Sequence, residues 1–123
     1  MPYLLVGLGG FLGAIARYAV DGWITRWLGA SFPFGTLVIN ASGSLVIGIL
    51  FAASVERATL PPDIRAPVMI GFIGAYTTFS TFMLESWRLF EDGAWLLGIA
   101  NIAGSAAIGL IAVGIGLAIG RAV

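Results

Sequence analysis

Four hydroxyls fall within five positions of the stretch Gly71–Phe82, GFIGAYTTFSTF: Thr77, Thr78, Ser80 and Thr81, with Phe79 and Phe82 set among them. Two further polar sets stand in apolar surroundings. Thr36, Asn40 and Ser44 recur every four residues, which aligns them along one stripe of a helix, and Asn101 and Ser105 are likewise one turn apart. Hydroxyls and an amide NH2 can donate to an anion, and the edge of a phenyl ring is the electropositive part of its quadrupole. Phe79 and Phe82 share a face wherever the backbone between them is helical. Asn40 is the strongest single candidate, because its amide calls for up to four partners and cannot satisfy itself. An isolated serine, by contrast, can bond back to its own helix. Carbonyls freed between Gly74 and Thr77 would offer the opposite chemistry, as ligands for a small hard cation such as Na+.

Other chemistries lack their residues. The chain has no histidine and no cysteine, and no carboxylate lies at mid-depth in an apolar stretch. Glu85 closes the third such stretch and reads as interfacial. There is thus no nucleophile–base constellation, no metal site of the usual kind and no intramembrane carboxylate for a proton relay, and enzyme activity is not expected. Six basic and six acidic residues give zero formal charge, so nothing points to a nucleic-acid partner. Gly7, Gly9, Gly10 and Gly13 resemble a dinucleotide fingerprint only faintly and lack the strand context it needs.

The elements that must position these residues are membrane helices. Of 123 residues 59% are hydrophobic and 10% charged, against about 25% charged in a soluble domain. Mean hydropathy is +1.03. Charged residues divide the chain into spans of about 3–20, 34–55, 66–84 and 94–119, each near the roughly 20 residues that cross a bilayer. Connections are short, so residues 1–123 are read as one four-helix transmembrane domain. The N-terminus lacks the basic region of a signal peptide, and the first span is expected to remain in the mature protein. Glycines followed by consecutive threonines weaken a helix, and backbone freed in hydrocarbon is tolerated only when buried or lining a wet cavity. The third helix is therefore expected to break within Gly71–Phe82. Gly9 with Gly13, Ser44 with Gly48, Ser105 with Gly109 and Gly116 with Gly120 have the spacing that lets helix backbones approach in lipid. Arg57, Arg65 and Arg121 fall on one side of the membrane, Arg26 and Arg88 on the other, with Arg17 deeper in the first span. So small a bias leaves open either dual insertion, with an antiparallel dimer, or a single topology set by other means.

GGFLGAIARY in the first span, GTLVINASGS opening the second and GFIGAYTTFSTF in the third resemble the Fluc (CrcB) family of fluoride channels, in matching order over essentially the whole chain. The resemblance implies an all-α membrane protein whose four transmembrane helices, the third broken, form an antiparallel dual-topology homodimer in the lipid of the cell (inner) membrane. Such dimers hold two fluoride pores and let toxic fluoride leave the cytoplasm. By the same resemblance, Phe79 and Phe82 turn ring edges to fluoride and Asn40 is the pore asparagine. Thr78 and Thr81 form a hydroxyl track with Ser80 beside it, Ser105 is the fourth-helix serine, and Arg17 lies near the pore vestibule. A structural Na+ sits at the dimer centre, held by backbone carbonyls at Gly74 and Thr77. One turn before Ser105 members often carry tyrosine, where this chain has Asn101, whose amide can still donate. The competing class is a small dual-topology multidrug-type exporter. It needs an acidic residue deep in the first helix, which offers only Arg17.

Overall fold

A computed structural model describes all 123 residues, Met1–Val123, and contains helices joined by short turns. Helix α1, Pro2–Leu28, opens on a proline, whose missing N–H has no partner in a first turn anyway. It closes at Gly29, where φ is 81°, a conformation that suits glycine. The helix continues past the apolar segment through Asp21 and Arg26, because neither residue breaks it. Helix α2, Phe34–Phe51, follows Pro33 and runs on as a π-helical stretch, Ala52–Glu56.

The third span, Pro62–Glu91, is made of pieces. They are α3 (Pro62–Ala66), a π-helical stretch (Pro67–Ile73), α4 (Gly74–Tyr76) and α5 (Ser80–Glu91). Pro67 has no N–H to return four residues back and its ring crowds that carbonyl, and the wider π turn begins there. Gly93, with φ 80°, turns the chain into α6, Trp95–Ala122. Four helical spans are thus long and apolar enough to cross a membrane, and this is a multi-pass membrane protein.

Packing follows the small residues. The broadest contact is α2 on α6, and α1 lies against the third span. A Cβ on Gly48 would come within 2.6 Å of the Val113 carbonyl, and one on Gly116 would run into the Leu45 carbonyl. On the other side, a Cβ on Gly13 would strike the Phe72 carbonyl, and one on Gly71 would lie 2.6 Å from that of Val6. Backbones this close gain dispersion contacts that lipid chains cannot match. Charged groups tie the end of the bundle near the second loop. Arg121 forms a two-pronged ion pair with Glu56, at 2.8 and 2.9 Å, and Arg57 donates to the Gly120 carbonyl at 3.2 Å.

Few side chains are fully enclosed, and they are as often polar as apolar: Thr36, Ser54, Ser86 and Asn101 beside Ile39, Ala52, Ile73 and Leu89. Large apolar side chains point outward, as befits a chain solvated by lipid.

Gly116→Ala should destabilise the protein by about 1–3 kcal/mol, since its Cβ meets backbone that cannot swing aside. Gly114→Ala, where a Cβ meets nothing, should be neutral. Unfolding temperatures of the two purified variants in detergent check the contrast.

Candidate functional site

Helical geometry stops at Tyr76. Thr77 is extended, with φ −80° and ψ 160°, and helix resumes only at Ser80. Two adjacent β-branched residues, Thr77 and Thr78, favour such a departure, and Thr77 caps its own helix by donating from Oγ1 to the Ile73 carbonyl at 3.0 Å. The displaced backbone groups find partners on neighbouring helices. The Thr78 N–H donates to Asn40 Oδ1 at 2.8 Å, and Asn40 Nδ2 donates to the Thr78 carbonyl at 2.9 Å. Arg17 Nε, from α1, donates to the Ala75 carbonyl at 3.1 Å. The Thr81 N–H donates to Thr78 Oγ1 at 3.3 Å and so caps the first turn of α5.

This arrangement decides which groups remain free. The N–H groups of Thr78 and Thr81, four residues on from Gly74 and Thr77, are directed to Asn40 Oδ1 and Thr78 Oγ1. They are therefore turned away from the Gly74 and Thr77 carbonyls, which keep acceptor capacity suited to a hard cation. Asn40 retains a second amide hydrogen, one of its two being given to Thr78. Because Thr78 Oγ1 accepts from Thr81, its own hydroxyl hydrogen is available to a further acceptor.

These groups meet in an open cleft of ≈ 360 Å³ whose wall includes Asn40, Ser44, Gly74, Thr77, Thr78, Phe79 and Phe82. The two rings stand edge to face, with centroids 6.3 Å apart and planes at 78°, and Phe79 is 73% exposed. A second cavity, ≈ 210 Å³, adjoins the cleft at Thr78 and is bounded by Arg17, Tyr18, Asp21, Thr36 and Thr81. Thr78 lines both. A third cavity holds Glu85 with Asp21, Thr25 and Arg88.

The fold thus brings together Asn40, Thr78, Phe79, Phe82, Gly74 and Thr77 at one cleft, and Arg17 and Thr81 at the adjoining cavity. Ser80 is exposed at the start of α5 and lines neither. Asn101 and Ser105 belong to a separate network. Ser105 Oγ donates to Asn101 Oδ1 at 3.2 Å, Asn101 Nδ2 donates to Ser86 Oγ at 2.8 Å, and Ser86 Oγ donates to the Phe82 carbonyl at 2.8 Å. Ser86 escapes sequence reading because it follows the charged Glu85, where the apolar span stops but the helix does not. Its one visible signal is its place a helical turn after Phe82. Tyr76 is also missed, and its hydroxyl lies 2.9 Å from Ser42 Oγ.

A family profile described as "CrcB-like protein, Camphor Resistance (CrcB)" matches residues 4–117. The chain is 44% identical to a fluoride-specific ion channel FluC of Hahella chejuensis, over 98% of this chain and 96% of that one. It is 41% identical to the protein of the same name from Magnetococcus marinus, over 98% of each chain. Its identity to the one from Citrifermentans bemidjiense is 43%, over 95% of this chain and 94% of that one.

Replacing Asn40 by leucine should strand the Thr78 N–H and carbonyl together, at about 1–3 kcal/mol for each buried group left unpaired. The purified variant should unfold at a clearly lower temperature than wild type. Tyr3→Leu, which trims a ring 93% exposed and remote from the cleft lining, should not.

Proposed function

The chain belongs to the CrcB family, and on that premise we propose that it is a fluoride-selective ion channel, which lets fluoride leave the cytoplasm passively and lowers its toxicity. The observation that carries this reading is the Asn40–Thr78 clasp beside the edge-to-face pair Phe79 and Phe82 in one cleft. Fluoride is small and strongly hydrated, so a pore must replace its water with donors. The second amide hydrogen of Asn40, the hydroxyl hydrogen of Thr78 and the ring edges are such donors, and none carries a fixed charge. Neutral donors bind an anion firmly enough to admit it and weakly enough to release it. Arg17, in the adjoining cavity, raises the local anion concentration at the approach, with Thr81 on the same wall. Ser80, exposed at the start of α5, extends the hydroxyl track in this reading, while Ser105 serves it through Asn101 and not by lining the cleft.

The chain works as an antiparallel dual-topology homodimer. The cleft lies open on an exposed face, and lipid offers no partner to Asn40, Thr77 and Thr78. A second copy would cover it, and the near balance of arginines across the spans permits both insertions. The interruption at Thr77–Phe79 is then the functional break of the third helix. Na+ fits the donor set that the break leaves, since the Gly74 and Thr77 carbonyls are neutral hard oxygens and two copies would supply four. Bound there, the ion would fix the two copies together.

Efflux from liposomes with valinomycin tests the function. Wild type should lose fluoride at channel speed and retain chloride. Phe79→Ile and Phe82→Ile should each cut fluoride flux by roughly tenfold or more while the protein still elutes as a dimer. Asn40→Asp should suppress flux by placing negative charge on an anion path. Fluoride retained by wild-type liposomes would overturn the channel. Flux unchanged in both phenylalanine variants would reduce the rings to packing. Replacing Na+ by a bulky organic cation throughout purification should weaken the dimer, which elution volume reports.

A further inference from the structure

Beyond the interruption, α5 is no longer carried by the helix before it. Its orientation depends on what it packs against, and that neighbour is chiefly α6. Only two side chains of α5 are buried, Ser86 at 1% exposure and Leu89 at 9%. Leu89 supplies apolar contact, which holds a helix near its neighbour and leaves it free to roll. Ser86 is different, because its partner Asn101 is itself only 2% exposed and the bond between them is 2.8 Å long. A buried amide loses its partner if the helix rolls, so the pair fixes a rotation angle.

The direction of the hydrogens matters too. Asn101 Nδ2 can only donate, so Ser86 Oγ accepts there and gives its single hydrogen to the Phe82 carbonyl. Ser105 gives its hydrogen to Asn101 Oδ1, which sets the amide the right way round. The chain of bonds therefore starts on α6 and ends on the backbone of the residue whose ring walls the cleft.

We propose that Ser86 and Asn101 are positioning residues for Phe82: their buried hydrogen bond sets the roll of α5 and so aims the ring edge at the anion. In this chain Asn101 acts through Ser86 and Phe82 and is not itself a ligand. The inference rests on the channel reading above.

The test compares Ser86→Ala, Asn101→Leu and the double variant with wild type in the liposome assay, reading fluoride flux per assembled dimer and the fluoride-to-chloride ratio. Each single variant should lose flux by roughly tenfold, and the double should be no worse than the poorer single, because the two residues act as one coupled pair. The fluoride-to-chloride ratio should fall with the flux. Leu89→Ala should lower the unfolding temperature and leave that ratio alone. If Ser86→Ala does not assemble, Ser86→Cys keeps the volume with only a weak donor and carries the same comparison. Wild-type flux and selectivity in the Ser86 variant, or simple additivity in the double, would overturn the positioning role while the channel stands. Wild-type liposomes that hold their fluoride would instead overturn the reading beneath it.

Discussion

Everything at the centre of this protein depends on the requirement that backbone polar groups in hydrocarbon have partners. A helix meets that requirement by itself, and one interrupted within the membrane does not. Asn40 resolves the conflict at Thr78 by offering a donor and an acceptor in the geometry of a peptide group, at 2.9 and 2.8 Å. Arg17 supplies a donor alone, from Nε to the Ala75 carbonyl. A side chain from α1 and one from α2 thus substitute for the missing turn, and the interruption becomes a fixed shape with chosen groups left over. Polar chemistry at the cleft arises from that remainder. Thr78 keeps a hydroxyl hydrogen because its oxygen serves as a cap, and the Gly74 and Thr77 carbonyls keep lone pairs because their usual donors are engaged elsewhere.

A clasp of this kind needs helices at fixed distances, and glycine sets those distances. The crossing of α2 on α6 at Gly48 and Gly116, and of α1 on the third span at Gly13 and Gly71, brings backbones nearly into contact. Helices so close cannot slide without collision. They form a close-packed frame that carries Asn40 and Arg17. Helix α5 stands partly outside that frame, with α6 as its main support. The closely packed helices and the more loosely supported α5 therefore meet at Thr77–Phe79, where the two rings begin.

The all-helical architecture was legible in the sequence, for reasons that can be named. Charged residues mark the ends of apolar runs, so the four spans and their order follow from simple spacing. The stripe Thr36–Asn40–Ser44 divides in the structure, with Asn40 and Ser44 on the cleft wall and Thr36 at the adjoining cavity. Helix lengths were less legible, because a helix does not stop where its apolar stretch does: α1 passes through Asp21 to Leu28, and α5 continues to Glu91. That same mismatch hid Ser86. The hydrogen-bond partners of Asn101 and Ser105 were hidden for another reason. Spacing places both on one face, but only the packed structure reveals that this face meets α5 at Ser86. Pattern reports which residues are neighbours along a helix, and it is silent on which atom takes which hydrogen.

One detail of Thr78 extends further. It is the single residue common to the cleft and the adjoining cavity, so the two compartments meet at its side chain. Its hydroxyl oxygen is pinned by the Thr81 N–H, while its hydrogen can turn about the C–O bond. One rotor with one hydrogen faces one compartment at a time. The partition therefore has one donor to give, and giving it to the cleft withholds it from the cavity.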